Sequence, residues 1–262
     1  MDYAAVGLAA LIVSGLALYS GFGLGTLLMP VFALFFPIPI AVACTAVVHF
    51  ANNVFRIFIV GRKADWPIVL AFGIPAAALA VPGAFLLVQI SNINPLLTYG
   101  IATREFDITT VKLVVAGLIL GFAAFELIPS LRKVEFPRKW VPIGGALSGF
   151  FGGLSGHQGA LRSAVLAKTG LETSAFVGTV SVCAFLVDIS RLAVYGFTFI
   201  SQDFNEISQG NSLALVGVAT FAALIGTYVS SRFLEQVTMK TVRLVVGIML
   251  VGVGLALASG LL

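Results

Sequence analysis

A chain of 262 residues that is 59% hydrophobic and only 10% charged cannot cover itself with a wettable surface, since soluble domains carry roughly 25% charged residues. The net charge of +4 is dispersed over short segments between apolar runs, which excludes a nucleic-acid-binding stripe and points to membrane topology instead. Mean hydropathy is +1.08, and the runs are continuous rather than alternating, so helical spans of about 20 residues are predicted and a barrel is not.

From the N-terminus, Met1–Val13 holds no basic residue and Asp2 is acidic. The stretch lacks the basic start of a cleaved leader and reads as a retained segment. Eight apolar blocks follow, approximately Tyr3–Phe36, Ile38–Val60, Trp66–Ile90, Ile108–Ile128, Val141–Ala167, Leu171–Phe197, Ser212–Phe233 and Thr241–Leu262. The connections are short apart from Ser91–Asp107 and Thr198–Asn211, and no stretch resembles a soluble domain. The expectation is an all-α polytopic membrane protein with one membrane domain over 1–262. Cys44 and Cys183 lie inside apolar blocks and read as buried free thiols.

The first and fifth blocks are too long for one plain span and are cut by glycine clusters, Gly21–Gly25 and Gly152–Gly159. Each glycine costs a helix about 1 kcal/mol relative to alanine. Irregular backbone at membrane depth survives only inside protein or against a water-filled cavity. Both blocks therefore read as broken helices. At an offset of 134 they also resemble each other: Ser14, Gly15, Gly25, Leu27, Val31, Ala33, Ala41, Thr45 and Val48 match Ser148, Gly149, Gly159, Leu161, Val165, Ala167, Ala175, Thr179 and Val182. Two repeats, about 1–134 and 135–262, are expected.

Loop charge selects the topology. If every block crosses once, the loop Lys and Arg divide evenly between the two sides. If the broken blocks are hairpins that enter and leave on one side, Arg62, Lys63, Arg132, Lys133, Arg138, Lys139, Lys168, Arg232, Lys240 and Arg243 share one face. Only Arg104 and Lys112 remain on the other. Basic loops are retained in the cytoplasm, so the hairpin arrangement is expected, with both termini outside. Each repeat is then a broken-helix hairpin plus three transmembrane helices, the second inverted relative to the first. Paired broken helices in inverted repeats recur in secondary transporters, with the site at the repeat interface. Glycine-rich helix packing is the alternative origin of such clusters.

Polar residues inside the blocks supply the candidate site. Thr45, His49, Asn52 and Arg56 recur at steps of four, three and four, with Asn53 beside them. This stripe is either a hydrogen-bonded seam or a cavity lining, and Arg56 is expected to snorkel to the cytoplasmic interface. Asp188 and Arg191 are spaced for an ion pair within one helix. Alternatively Arg191 meets an anion and Asp188 takes up a proton. Glu126 is expected to reach the interface. At the breaks, fresh helix N-termini carry partial positive charge and bind anions without a lysine. Gly23, Gly25 and Thr26 in one repeat, and Ser155, Gly156, His157, Gln158 and Gly159 in the other, are the tip candidates. Two histidines and two scattered cysteines make no metal cluster, and no phosphate-binding loop is present. No metal, cofactor, nucleic acid or ATP-driven step is expected; oligomeric state, a homo-oligomer included, is left open.

Ser14-Gly15, Gly21–Gly25, Met29-Pro30, Pro37–Pro39 and Ala41–Thr45, echoed by Ser148–Gly159 and Leu171–Thr179, resemble the sulfite exporter TauE/SafE family over essentially the whole chain. The resemblance implies a carrier of small sulfur-containing anions in the inner membrane, such as sulfite, sulfoacetate or related organosulfonates. One departure concerns the second tip, where a triple glycine with a following proline is common in the family and this chain has Gly156-His157-Gln158-Gly159 and Arg162-Ser163-Ala164. A secondary transporter is expected, working by alternating access and open to proton coupling. An anion channel and an intramembrane enzyme are the competing classes.

Overall fold

The computed structural model describes residues 2–20, 24–102, 104–128, 130, 137–166, 169–209, 212–232 and 239–262. Apolar composition with few breakers gives helices: α1 (Asp2–Ser20), α2 (Leu24–Ala33), α3 (Ile38–Val60), α4 (Trp66–Ser91), α5 (Thr110–Leu127), α6 (Val141–Ser155), α7 (Gly159–Leu166), α8 (Thr173–Gln209), α9 (Ser212–Ser231) and α10 (Met239–Ala258). Their ends follow local chemistry. The Asp65 carboxylate caps α4 by accepting from Ile68 N at 3.0 Å, and Thr109 caps α5 by accepting from Lys112 N at 3.2 Å. Pro67 and Pro142 sit in first turns, where a missing N–H costs nothing. A π turn at Val69–Gly73 interrupts α4.

Four of these helices are long and apolar enough to cross a membrane: Ile38–Lys63, Trp66–Ser91, Thr173–Thr198 and Leu213–Ser231. Large apolar side chains face outward, among them Phe58 on α3 at 83% exposed, Phe197 on α8 at 86% and Phe221 on α9 at 68%. Water would not tolerate such a surface, and lipid would. The chain is a helical membrane protein.

Two features depart from the sequence expectation. The Ser91–Asp107 connection is not plain loop: Leu97–Ile101 (β1) and Arg104–Ile108 (β2) pair antiparallel, with Leu97 opposite Ile108 and Tyr99 opposite Phe106. The chain is helical as expected, and among the described residues this two-stranded hairpin is the addition. Tyr99 and Phe106 stack at 5.6 Å. The Tyr99 hydroxyl donates to the Ser259 carbonyl, while Lys112 Nζ donates to the Asp107 and Gly260 carbonyls at 2.9 and 3.3 Å. These contacts fasten the C-terminal end to the hairpin. The second departure is Thr198–Asn211, expected as a loop, where α8 continues to Gln209. No glycine or proline lies between Thr198 and Gln209 to stop it.

The first long block holds α1 and α2, which pack together; the break expected at Gly21–Gly25 falls largely outside the described residues. The second yields α6 and α7, separated by Gly156 at φ +77°. Gly144 faces Val165, since a Cβ there would meet Val165 Cγ2 at 2.6 Å, and Gly152 faces Gln158 in the same way at 2.9 Å. The chain therefore doubles back, and α6 with α7 forms an antiparallel hairpin. Val141 at its start and Leu166 at its end share a cluster with Ala64 in the turn before α4, so Arg62, Lys63, Arg138 and Lys139 flank one end of the bundle. Lys168, Arg132 and Lys133 lie outside the described residues.

The two halves exchange partners. Helix α1 packs on α9 and α6 on α4, while α3 packs on α8 and α5 on α10. The closest approaches use glycine against backbone. Any Cβ at Gly145, Gly149 or Gly153 would run into the carbonyls of Phe72, Ala76 or Ala80 on α4. On the other side, Gly15 faces Ser230 Oγ and Gly226 faces the Leu11 carbonyl. Ser14-Gly15 and Ser148-Gly149, matched in sequence, thus occupy corresponding interfaces.

Candidate functional site

The second tip is held by the carbonyl end of α6. Gly156 caps that helix, its N–H donating to Gly152 O at 2.9 Å, and only a residue tolerant of positive φ fits there without strain. Helix C-termini attract cations, and α8 supplies one. Arg191 Nη1 donates to Gly152 O at 3.3 Å, and the Tyr195 hydroxyl donates to Gly153 O. Beyond the cap, His157 Nδ1 donates to Ser155 O at 2.7 Å. Its ring stacks on Phe122 at 6.4 Å with an interplanar angle of 7°. Ser155 donates back to Phe151 O, and Ser148 donates to Gln158 O at 3.1 Å. Gly159 opens α7, and the Arg162 N–H closes its first turn on Gln158 O.

The first tip meets the second. Gly25, in the first turn of α2, has its missing side chain aimed at Gly156 O, where a Cβ would lie at 3.0 Å. Thr45 Cγ2 and His49 Cδ2 would lie at 3.7 and 3.8 Å from the same point. Thr26 is buried beside it, its backbone next to His157. Gly23 lies outside the described residues.

The α3 stripe joins this contact to α8. His49 Nδ1 donates to Asp188 Oδ2 at 2.7 Å, and Asn53 Nδ2 donates to the same oxygen at 2.9 Å. Asp188 Oδ1 takes Arg191 Nε at 3.0 Å and Nη2 at 2.7 Å. The ion pair expected within one helix is present, and it is also a junction between α3, α8 and the tip of α6. Asn52 accepts from Thr227 on α9 at 2.7 Å, while Thr45 bonds back to Ala41 O.

Arg56 corrects one expectation: it is 4% exposed and does not snorkel. Its branched head is enclosed by protein, close enough to Arg162 that each feels the other's charge. Glu126 falls where side chains are outside the description. Sequence reasoning did not single out Arg162, which is 1% exposed and within electrostatic reach of Asp188, Arg191 and Cys183. The described interior holds three buried guanidinium groups, of Arg56, Arg162 and Arg191, and one buried carboxylate, of Asp188. Among the described residues this leaves two positive charges uncompensated, and several polar atoms are unpartnered. They include Nε of Arg56, Nε and Nη1 of Arg162 and both amide atoms of Gln158. None of these side chains is more than 4% exposed, so the cluster is closed to both faces. Among the described residues no group of His, Cys, Asp or Glu could hold a metal.

A family model described as the sulfite exporter TauE/SafE matches residues 3–257. No curated protein and no solved structure matches the chain. The chain belongs to the TauE/SafE sulfite exporter family.

Proposed function

We propose that this member of the TauE/SafE family is a secondary transporter moving a small sulfur-containing anion, such as sulfite, sulfoacetate or a related organosulfonate, across the inner membrane by alternating access. The observation that carries the proposal is the meeting of two broken-helix tips, Gly25 against Gly156, beside buried guanidinium groups in excess of carboxylate. An uncompensated buried charge is costly, and an arriving anion removes that cost. Broken helices that meet at a repeat interface are where such carriers bind substrate. Inverted repeats with both termini outside are part of the proposal, supported by the exchanged partners of the two halves and by the shared end for Arg62, Lys63, Arg138 and Lys139. Closure on both sides supports a carrier over an open anion channel. The His49–Asp188 contact is where a coupled proton would be held.

The experiment is flux of sulfite and thiosulfate into proteoliposomes. Wild type is expected to show saturable uptake. Gly25→Leu drives a side chain into the Gly156 carbonyl and is expected to abolish flux in protein that still inserts, and His157→Ala to weaken it. Unsaturable currents, or unchanged uptake in both variants, would reject this reading.

A further inference from the structure

We infer that Arg162 and Arg56 are the pair that grips the anion, with Gln158 and His157 completing the shell, and that the site selects an oxyanion carrying two negative charges. This rests on the transport reading above and specifies its ligand.

Arg191 cannot be the principal anion ligand, because its guanidinium is already committed to Asp188 and to the Gly152 carbonyl. Asp188 is likewise taken up by Arg191, His49 and Asn53. That unit is neutral and holds α3, α8 and the tip together. The remaining charges belong to Arg56 and Arg162, and these are the arginines whose Nε atoms have no acceptor among the described residues. Two like charges repel each other in a water-excluded site unless something of opposite sign lies between them. Nor do the neutral neighbours compensate. Both polar atoms of the Gln158 amide are buried and unpartnered, although buried polar groups are ordinarily hydrogen-bonded. Planar N–H forks and a side-chain amide are the donor chemistry that oxyanions take. A ligand with two negative charges neutralises the pair, whereas a monoanion leaves one guanidinium unmatched.

The test uses purified full-length protein, with melting temperature as a folding check and calorimetry for affinity. Thiosulfate and sulfate serve as divalent probes and methanesulfonate as the monovalent one. Wild type is expected to bind a divalent probe at least about tenfold more tightly than methanesulfonate, and Arg162→Gln and Arg56→Gln each to lose at least about tenfold for the divalent probe. Because each variant removes a repelling buried charge, its melting temperature without ligand should equal or exceed that of wild type. A merely structural arginine would lower it. Arg162→Lys, which keeps the charge and loses the fork, is expected to fall between. Folded Gln variants that bind like wild type would overturn the inference, as would equal affinity for both charge classes or no binding in wild type. Sulfur-anion flux that persists in the Gln variants would reject the arginine pair and leave the transporter reading intact. Absence of flux in wild type would sink that reading instead.

Discussion

Asp188 compensates a buried arginine and receives hydrogen bonds from two side chains of another helix. Removing one member of a buried ion pair usually costs about 3–5 kcal/mol, because the survivor stays charged and dry. Asp188→Asn is therefore expected to lower the melting temperature sharply, and Asp188→Asn with Arg191→Gln to recover much of the loss, measured by thermal unfolding in detergent. An unchanged single variant would mean that the contact is dispensable. The spacing of Asp188 and Arg191 made their pairing legible in sequence. The contact with His49 was not, since it joins positions 139 apart. Arg56 was misread because a long cationic side chain near a helix end ordinarily reaches water, and here its head is enclosed. Arg162 had a signal that went unused. Of 15 basic residues, twelve belong to connections or block edges and three sit within apolar segments, where an ionisable group marks function by default.

Among elements, the pairs α6 with α4 and α1 with α9 are built on glycine laid against backbone. Lipid offers no hydrophobic drive for helix association, so close approach and packing must supply it. Gly149→Val is expected to cost at least about 3 kcal/mol, the upper range for overpacking, and to lower the yield of folded protein in size-exclusion profiles. Gly117→Ala on α5 is the contrast. Nothing lies within 4 Å of its added Cβ, so the melting temperature should hold or rise. Glycine density marks where the second long block breaks, at Gly156. The β-hairpin is not legible in the sequence because strands of five residues carry too little apolar length to stand out beside membrane-length runs. The extension of α8 is equally hard to read, because a polar stretch resembles a loop although only a helix breaker requires one.

For the whole molecule, the proposed topology places the Gly61–Asp65 turn and the Arg138–Trp140 turn on one side of the membrane and the β-hairpin on the other. Single cysteines at Lys63, Lys139 and Thr98, introduced after replacing Cys44 and Cys183, test this with a membrane-impermeant maleimide. Positions 63 and 139 should label from the cytoplasmic side and 98 from outside; labelling of 63 and 139 from opposite faces would contradict the hairpin reading. The excess charge of the closed site has a further consequence, electrical in kind. A site that holds two positive charges when empty and none when filled with a divalent anion moves net charge only on its empty return. Each charge crossing the whole field is worth about 2.3 kcal/mol per 100 mV. A potential negative on the inside would then draw the empty site inward, where it reloads, so that membrane voltage alone favours outward delivery of the anion. Imposing a potassium diffusion potential on proteoliposomes should speed outward flux from the negative side and leave one-for-one exchange unaffected.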